Sequence, residues 1–168
     1  FITTGLVTNR RFWRDYVRWV INRGLVRDFL EYAIGCDSSF NLIEPTRFYR
    51  DTKAPSLVNS KLVADILNSF LDNVHATESI RRWGEDIYCS KADLVKVASP
   101  LVSFGNHTVN HYVLSSLSQD EQSSEIAGAD SFLRTLGKPR CNVFSIPFGG
   151  SNAFNSVTLD IIESLGYQ

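Results

Sequence analysis

Two histidines, His107 and His111, stand four residues apart in the polar stretch Gly105-Asn106-His107-Thr108-Val109-Asn110-His111. Two neutral imidazoles at this spacing can face one divalent ion when the chain between them turns helically. A third oxygen ligand and water would then complete a catalytic sphere. The same spacing also arises on helix faces as two hydrogen-bonded polar residues, so the pair alone leaves both readings open. The apolar run Leu101-Val102-Ser103-Phe104 directly before it reads as a strand. In α/β folds the strand-to-loop edge is where chemistry collects.

The elements that must position this loop follow from hydrophobic spacing and caps. Residues 1–7 read as a short strand, and Thr8 or Asn9 can cap a helix over 10–22 in which Phe12, Tyr16, Trp19 and Val20 recur at helical spacing. A second amphipathic helix spans 25–34 between Gly24 and Gly35. Residues 36–54 read as irregular, with Pro45 and Pro55 as punctuation. The clearest helix covers 56–74, with Leu62, Ile66, Phe70 and Val74 on one stripe, and 75–88 is a connector. Ser90 with Asp93 and Ser118 with Glu121 are capping boxes, the first opening a short helix to Ala98 and the second a helix to Leu136 that Gly137 stops. Residues 141–146 form the next strand. Asn155 or Ser156 then caps a last helix through Ser164, with Leu159 and Ile162 facing inward and Gly166 as its stop. Strands alternating with helices imply parallel pairing by crossover, so the fold class is α/β.

A chain of 168 residues is long enough for one domain with a real core and too short for two comfortable ones. A net charge of −1 with frequent aromatics argues against disorder and against a general polyanion binder, which makes nucleic acid an unexpected partner. No apolar run approaches about 18 residues, and the N-terminus lacks the zones of a signal peptide. Cys36, Cys89 and Cys141 are odd in number and widely spaced. They read as buried or free thiols, with a lean toward a reducing, cytoplasmic compartment. The chain has no methionine and opens on the apolar pair Phe1-Ile2, and it closes on a helix stop followed by Tyr167, a lead-in to another strand. The expectation is a single domain over 1–168, truncated at both ends.

Ser103-Phe104-Gly105-Asn106-His107-Thr108 followed by His111, Leu114 and the helix bearing Glu125-Ile126 resembles the second motif of the polysaccharide deacetylase (NodB-homology) family. Phe144-Ser145-Ile146-Pro147-Phe148-Gly149 resembles the third motif, and Phe1-Ile2-Thr3-Thr4-Gly5 the strand end after the first. The resemblance implies a distorted parallel (β/α) barrel, of which this chain supplies a part, since a closed barrel usually takes roughly 200 residues or more. It implies metal-dependent hydrolysis of an N- or O-acetyl group on a carbohydrate, with His107 and His111 holding zinc or a similar divalent ion. It also places the backbone N–H of Phe148 as the oxyanion donor, beside Pro147. Thr108 and Asn110 can steady a histidine ring by hydrogen bonding or, equally, cap a helix. The third ligand and the base, a pair of aspartates, are expected just upstream of Phe1, and a general-acid histidine beyond Gln168. The chain alone is therefore expected to show little or no turnover. Ser145 stands where the family has an arginine that orients the base. This departure motivates a second expectation, a deacetylase-like module that binds carbohydrate or a partner without turnover.

Other candidates carry less. Arg10, Arg11, Arg14 and Arg18 beside Phe12, Trp13 and Tyr16 read chiefly as the solvated side of an amphipathic helix, although such a face can meet an acidic glycan, a lipid headgroup or RNA. His75 reads as a surface or capped histidine. Asp120 and Glu121 suit a helix start through its dipole, and Glu85 with Asp86 is a solvated pair. No G-x-S-x-G, P-loop or dinucleotide fingerprint occurs.

Overall fold

Side-chain caps set where several helices begin. Asn59 accepts from the amides of Lys61 and Leu62, Ser118 and Glu121 close a reciprocal capping box, and Asn155 and Thr158 close another. Among the described residues the helices are, in chain order, α1 (Thr4–Val7), α2 (Trp13–Asn22), α3 (Val26–Cys36), α4 (Phe48–Asp51), α5 (Ser60–Asn73), α6 (Lys91–Val97), α7 (Gln119–Arg134) and α8 (Ser156–Ser164). The strands among them are β1 (Phe104–Asn106) and β2 (Arg140–Phe144). The computed structural model describes residues 1–8, 11–76, 87–97, 99 and 101–168. The start expected for the first helix at Arg10, most of the 75–88 connector with Glu85 and Asp86, and Ala98 and Pro100 lie outside the described residues.

The chain divides into two compact units, Phe12–Glu85 and the pair of segments Phe1–Arg11 and Asp86–Gln168. The second unit holds a small parallel sheet. Strand β1 pairs with β2 in parallel, with Phe104 opposite Arg140 and Asn106 opposite Phe144, and the register slips between those two pairs. Helix α7 lies in the connection between the strands, as a parallel crossover requires. On the other edge of β1, Ile2 forms a parallel bridge to Asn106. Its N–H donates to the Gly105 carbonyl at 2.9 Å, and its carbonyl accepts from the His107 amide at 3.2 Å. Gln168 extends the pattern along β2, its N–H donating to the Asn142 carbonyl at 2.8 Å.

All three residues of β1 are buried, which is how a parallel strand sits when both of its faces are covered. One apolar cluster joins Phe144 of β2 to Leu114, Leu117, Ile126, Ile162 and Tyr167. Another joins Phe104 to Leu94, Leu133 and Leu136, with Ile2, Val7 and Phe132 packed against it. Helix α7 contributes to both clusters through Ile126 and Leu133, and so fixes the strand ends relative to its own axis.

Two sequence expectations shift here. The strand expected over 1–7 contracts to Ile2, because Thr4–Val7 turns helical once the Thr4 and Gly5 amides donate to the carbonyls of Thr108 and Val109. The strand expected from Leu101 begins at Phe104, and Leu101 is 96% exposed. An apolar run does not become a strand where it has no partner to complete the ladder.

The helical unit, Phe12–Glu85, is organised around Phe29. That ring meets Phe40, Phe48 and Phe70 edge-on, with centroids 6.0, 5.4 and 5.4 Å away. Such pairs add about 0.5–1.5 kcal/mol each beyond the area they bury. Residues 36–54 are not irregular as expected; they wind into 3-10 turns at Ser38–Leu42 and Pro45–Arg47 and then into α4. Nor does Arg14 belong to a solvated basic face. It is 2% exposed, donates to the Thr52 hydroxyl at 2.8 Å and to the Tyr49 carbonyl, and its guanidinium lies against the Trp13 and Tyr49 rings. Burial pushes its pKa down to about 10. His75 is exposed at the end of α5 with φ of 53°, a position that ends the helix. Among the described residues no helix is long and apolar enough to cross a membrane. Cys36 and Cys89 are exposed free thiols, and Cys141 is a half-buried one.

Candidate metal site at the end of the sheet

The chain leaves β1 at Asn106 and immediately presents His107. The Ile2–Thr4 edge holds this exit in place: the Thr3 hydroxyl donates to the His107 carbonyl at 3.2 Å, and the Thr4 amide to the Thr108 carbonyl at 3.0 Å. The two imidazoles then converge. Their ring centroids are 4.5 Å apart with the planes nearly perpendicular. The convergence does not come from the helical turn that the i, i+4 spacing suggests. Residues 107–111 form a bent loop in which Thr108 and His111 hold left-handed φ values of 64° and 59°.

Left-handed backbone is costly for residues other than glycine, about 1–3 kcal/mol each, and persists only where the surroundings over-determine it. Those surroundings are visible. Asn106, fully buried, accepts from the Thr108 amide through Oδ1 at 2.9 Å, and its Nδ2 donates to the Ile126 carbonyl at 3.0 Å and to the Tyr167 hydroxyl at 3.1 Å. Tyr167 in turn donates to Asp130 Oδ1 at 2.6 Å, and Arg134 holds the other oxygen of Asp130 at 2.7 Å. The Thr108 hydroxyl accepts from the His111 amide at 3.0 Å, so its link to that histidine runs through the backbone. Asn110 donates from its backbone amide to Glu125 Oε2 at 2.7 Å and from its side chain to Oε1 at 2.5 Å.

The facing wall comes from the loop after β2. Nδ1 of His107 lies 2.7 Å from the Ser145 carbonyl. A carbonyl can only accept, so Nδ1 carries the proton and Nε2 keeps its lone pair. Burial lowers the pKa of His107, and the bond to Ser145 opposes that shift only in part. Burial thus disfavours the charged ring, and the bond to Ser145 sets the tautomer that leaves Nε2 open to a metal. Ser145 itself is tied to β1, its amide donating to the Asn106 carbonyl at 3.1 Å. Three residues on, Phe148 sets its ring edge-on to His111, with centroids 4.8 Å apart. Phe148 has a φ of 66° and the following Gly149 the same value, so the Pro147-Phe148-Gly149 turn runs through two successive left-handed residues. Pro147 is buried.

The structure therefore gathers His107, His111, Ser145, Pro147 and Phe148 at one end of the sheet. Thr108 and Asn110 shape the histidine loop between them. Among the described residues no group of three or more histidine, cysteine, aspartate or glutamate side chains is placed to hold a metal. Sequence reasoning missed the parts played by Asn106, Glu125, Asp130 and Tyr167. A signal existed in α7, where Gln122, Glu125 and Asp130 interrupt the inward stripe of Ile126, Ala129 and Leu133, and all of these residues are buried.

Residues 74–168 match the sequence model of a family described as polysaccharide deacetylase, more than half of the chain. No curated protein and no solved structure matches the chain. The matched span begins near the end of the helical unit and takes in the histidine loop, α7, β2 and the turn at Phe148, and on that match the chain belongs to the polysaccharide deacetylase family.

Proposed function

We propose that the chain is part of a metal-dependent hydrolase that removes an acetyl group from a carbohydrate, with His107 and His111 as two of the metal's ligands. Family membership supports the reaction class. The observation that carries the metal is the pair of converging imidazoles, one of them held with its Nδ1–H toward the Ser145 carbonyl. A divalent ion, most simply zinc, supplies Lewis acidity toward an acetyl carbonyl and toward water. The rest falls to the chain. The Phe148 amide, at the left-handed turn beside His111, serves as a backbone donor to the developing oxyanion, and a backbone donor works whatever side chain it carries. The Phe148 ring packs edge-on with that of His111 and steadies it. Ser145 supports the site through its carbonyl, so the residue type there matters less than the path of the main chain.

In this reading the parallel strands and their helices form part of a distorted (β/α) barrel. The third ligand, the base and the general acid come from segments of that barrel outside this chain, as the family pattern implies. A binding module without turnover is the second reading, and Ser145, where the family carries an arginine, is what favours it.

The test is acetate release from N-acetylated and O-acetylated oligosaccharides by the protein carrying its flanking sequence, with zinc supplied. The proposal expects release that His107→Ala abolishes. Oligosaccharide binding with no release from the flanked, zinc-supplied protein would favour the binding module.

A further inference from the structure

The loop between the two histidines is not self-supporting. Thr108 and His111 both hold left-handed backbone, and the two residues between them, Val109 and Asn110, both bond Glu125 on α7, while the Val109 carbonyl also accepts the Gly5 amide at 2.8 Å. Glu125 accepts the Asn110 amide on Oε2 at 2.7 Å and the Asn110 side-chain amide on Oε1 at 2.5 Å, while its backbone carbonyl accepts the Val109 amide at 3.1 Å. A planar carboxylate can take two N–H groups of one residue at once, which fixes that residue's backbone and side chain together. Glu125 is 6% exposed, so these bonds form away from competing water. Its helix is anchored independently at both ends, by the Ser118–Glu121 capping box with Gln122 bonded to Thr158, and by Asp130 bonded to Tyr167.

We infer that Glu125 is a positioning residue, which sets the mutual orientation of His107 and His111 by clamping Val109 and Asn110 to α7. The inference rests on the metal reading above for its functional meaning, but its geometric content stands without a metal. Without the carboxylate, Asn110 loses both of these bonds and only the main-chain bond to Val109 remains, so His111 relaxes out of the left-handed conformation and the imidazoles separate. Glu125→Gln keeps one acceptor oxygen and turns the other position into a donor facing a donor, so it retains one of the two carboxylate bonds.

The full chain, metal-free, is examined by NMR for cross-relaxation between the His107 and His111 rings and between His111 and Phe148, then titrated with zinc. The comparison set is the native chain, Glu125→Ala, Glu125→Gln and Gln122→Ala. Gln122 lies one turn earlier on α7, equally buried, and bonds Leu117 and Thr158. The inference expects Glu125→Ala to lose the ring-to-ring signals and to weaken zinc binding by about tenfold, the scale seen when the support of a metal ligand is removed. Glu125→Gln falls between Glu125→Ala and the native chain. Gln122→Ala lowers thermal stability while leaving both readouts in place. Unchanged ring signals in folded Glu125→Ala, or equal losses in Gln122→Ala, overturn the inference. If the native chain shows the ring signals but takes up no zinc, the metal reading fails, and the ring signals in Glu125→Ala alone decide the positioning role.

Discussion

His107→Ala should lower the zinc affinity of the chain by a factor on the order of 100 or more, with little change in thermal stability. A direct ligand is worth more than the 10–100-fold that supporting groups typically contribute. With one imidazole gone, the loop offers a single nitrogen. Stability should hold because His107 is half-buried and its Nδ1 bonds the Ser145 carbonyl, a group that water can reach once the ring is absent. His111 calls for a different substitution. Its φ of 59° suits glycine, and alanine would keep the backbone cost while losing the ring. His111→Gly should therefore bind zinc as poorly as His107→Ala yet unfold no earlier than the native chain. A metal-site residue whose removal costs no stability is the pattern expected where backbone strain is kept for function. Calorimetric zinc titration and thermal unfolding of the two variants check both halves of the prediction.

Asn106→Ala should be the more damaging change to the fold, destabilising by about 3 kcal/mol. Its side chain is fully buried and bonds three groups, of which the Thr108 amide is the critical one. That amide belongs to a left-handed residue at the base of the histidine loop. Without Asn106 Oδ1 it loses this acceptor inside the protein, and such a loss costs about 1–3 kcal/mol, with the cavity adding to it. Tyr167 keeps its bond to Asp130 and Ile126 stays in its helix, so the loss concentrates at the loop. For a domain of this size the effect corresponds to a fall in Tm of about 10 °C. Thermal unfolding of Asn106→Ala beside Asn106→Asp checks it. The aspartate keeps the acceptor for Thr108 but loses both donated bonds and buries a charge, so it should be no better than alanine.

The caps and helix stripes were legible because they are local. Ser118 with Glu121, Ser90 with Asp93 and Asn155 each satisfy helix-end amides within a few residues, and each opens a helix where the spacing predicted one. Strand bounds were less legible, since a strand is defined by its partner. Leu101 and Val102 look like strand and are exposed, while Phe104–Asn106 pairs on both edges. The histidine pair was readable by residue type, but the manner of its convergence was not. A helical turn was the local inference; the observed bend depends on Glu125, 15 residues away, and on Asn106, whose partner Tyr167 lies 61 residues away. Arg14 misled for the same reason. Its partners Tyr49 and Thr52 sit 35 and 38 residues downstream, and nothing in the helix pattern of α2 announces them.

X-ray absorption of the zinc-loaded chain would test the central claim most directly, because it reads the ligand atoms themselves. The account predicts two imidazole nitrogens at about 2.0–2.1 Å, with the remaining positions filled by oxygen. Loss of the imidazole scattering in His107→Ala would tie it to this loop. The exposed thiols of Cys36 and Cys89 offer the competing chemistry. Sulfur at about 2.3 Å, unchanged in His107→Ala, would show that zinc binds elsewhere and would contradict the account.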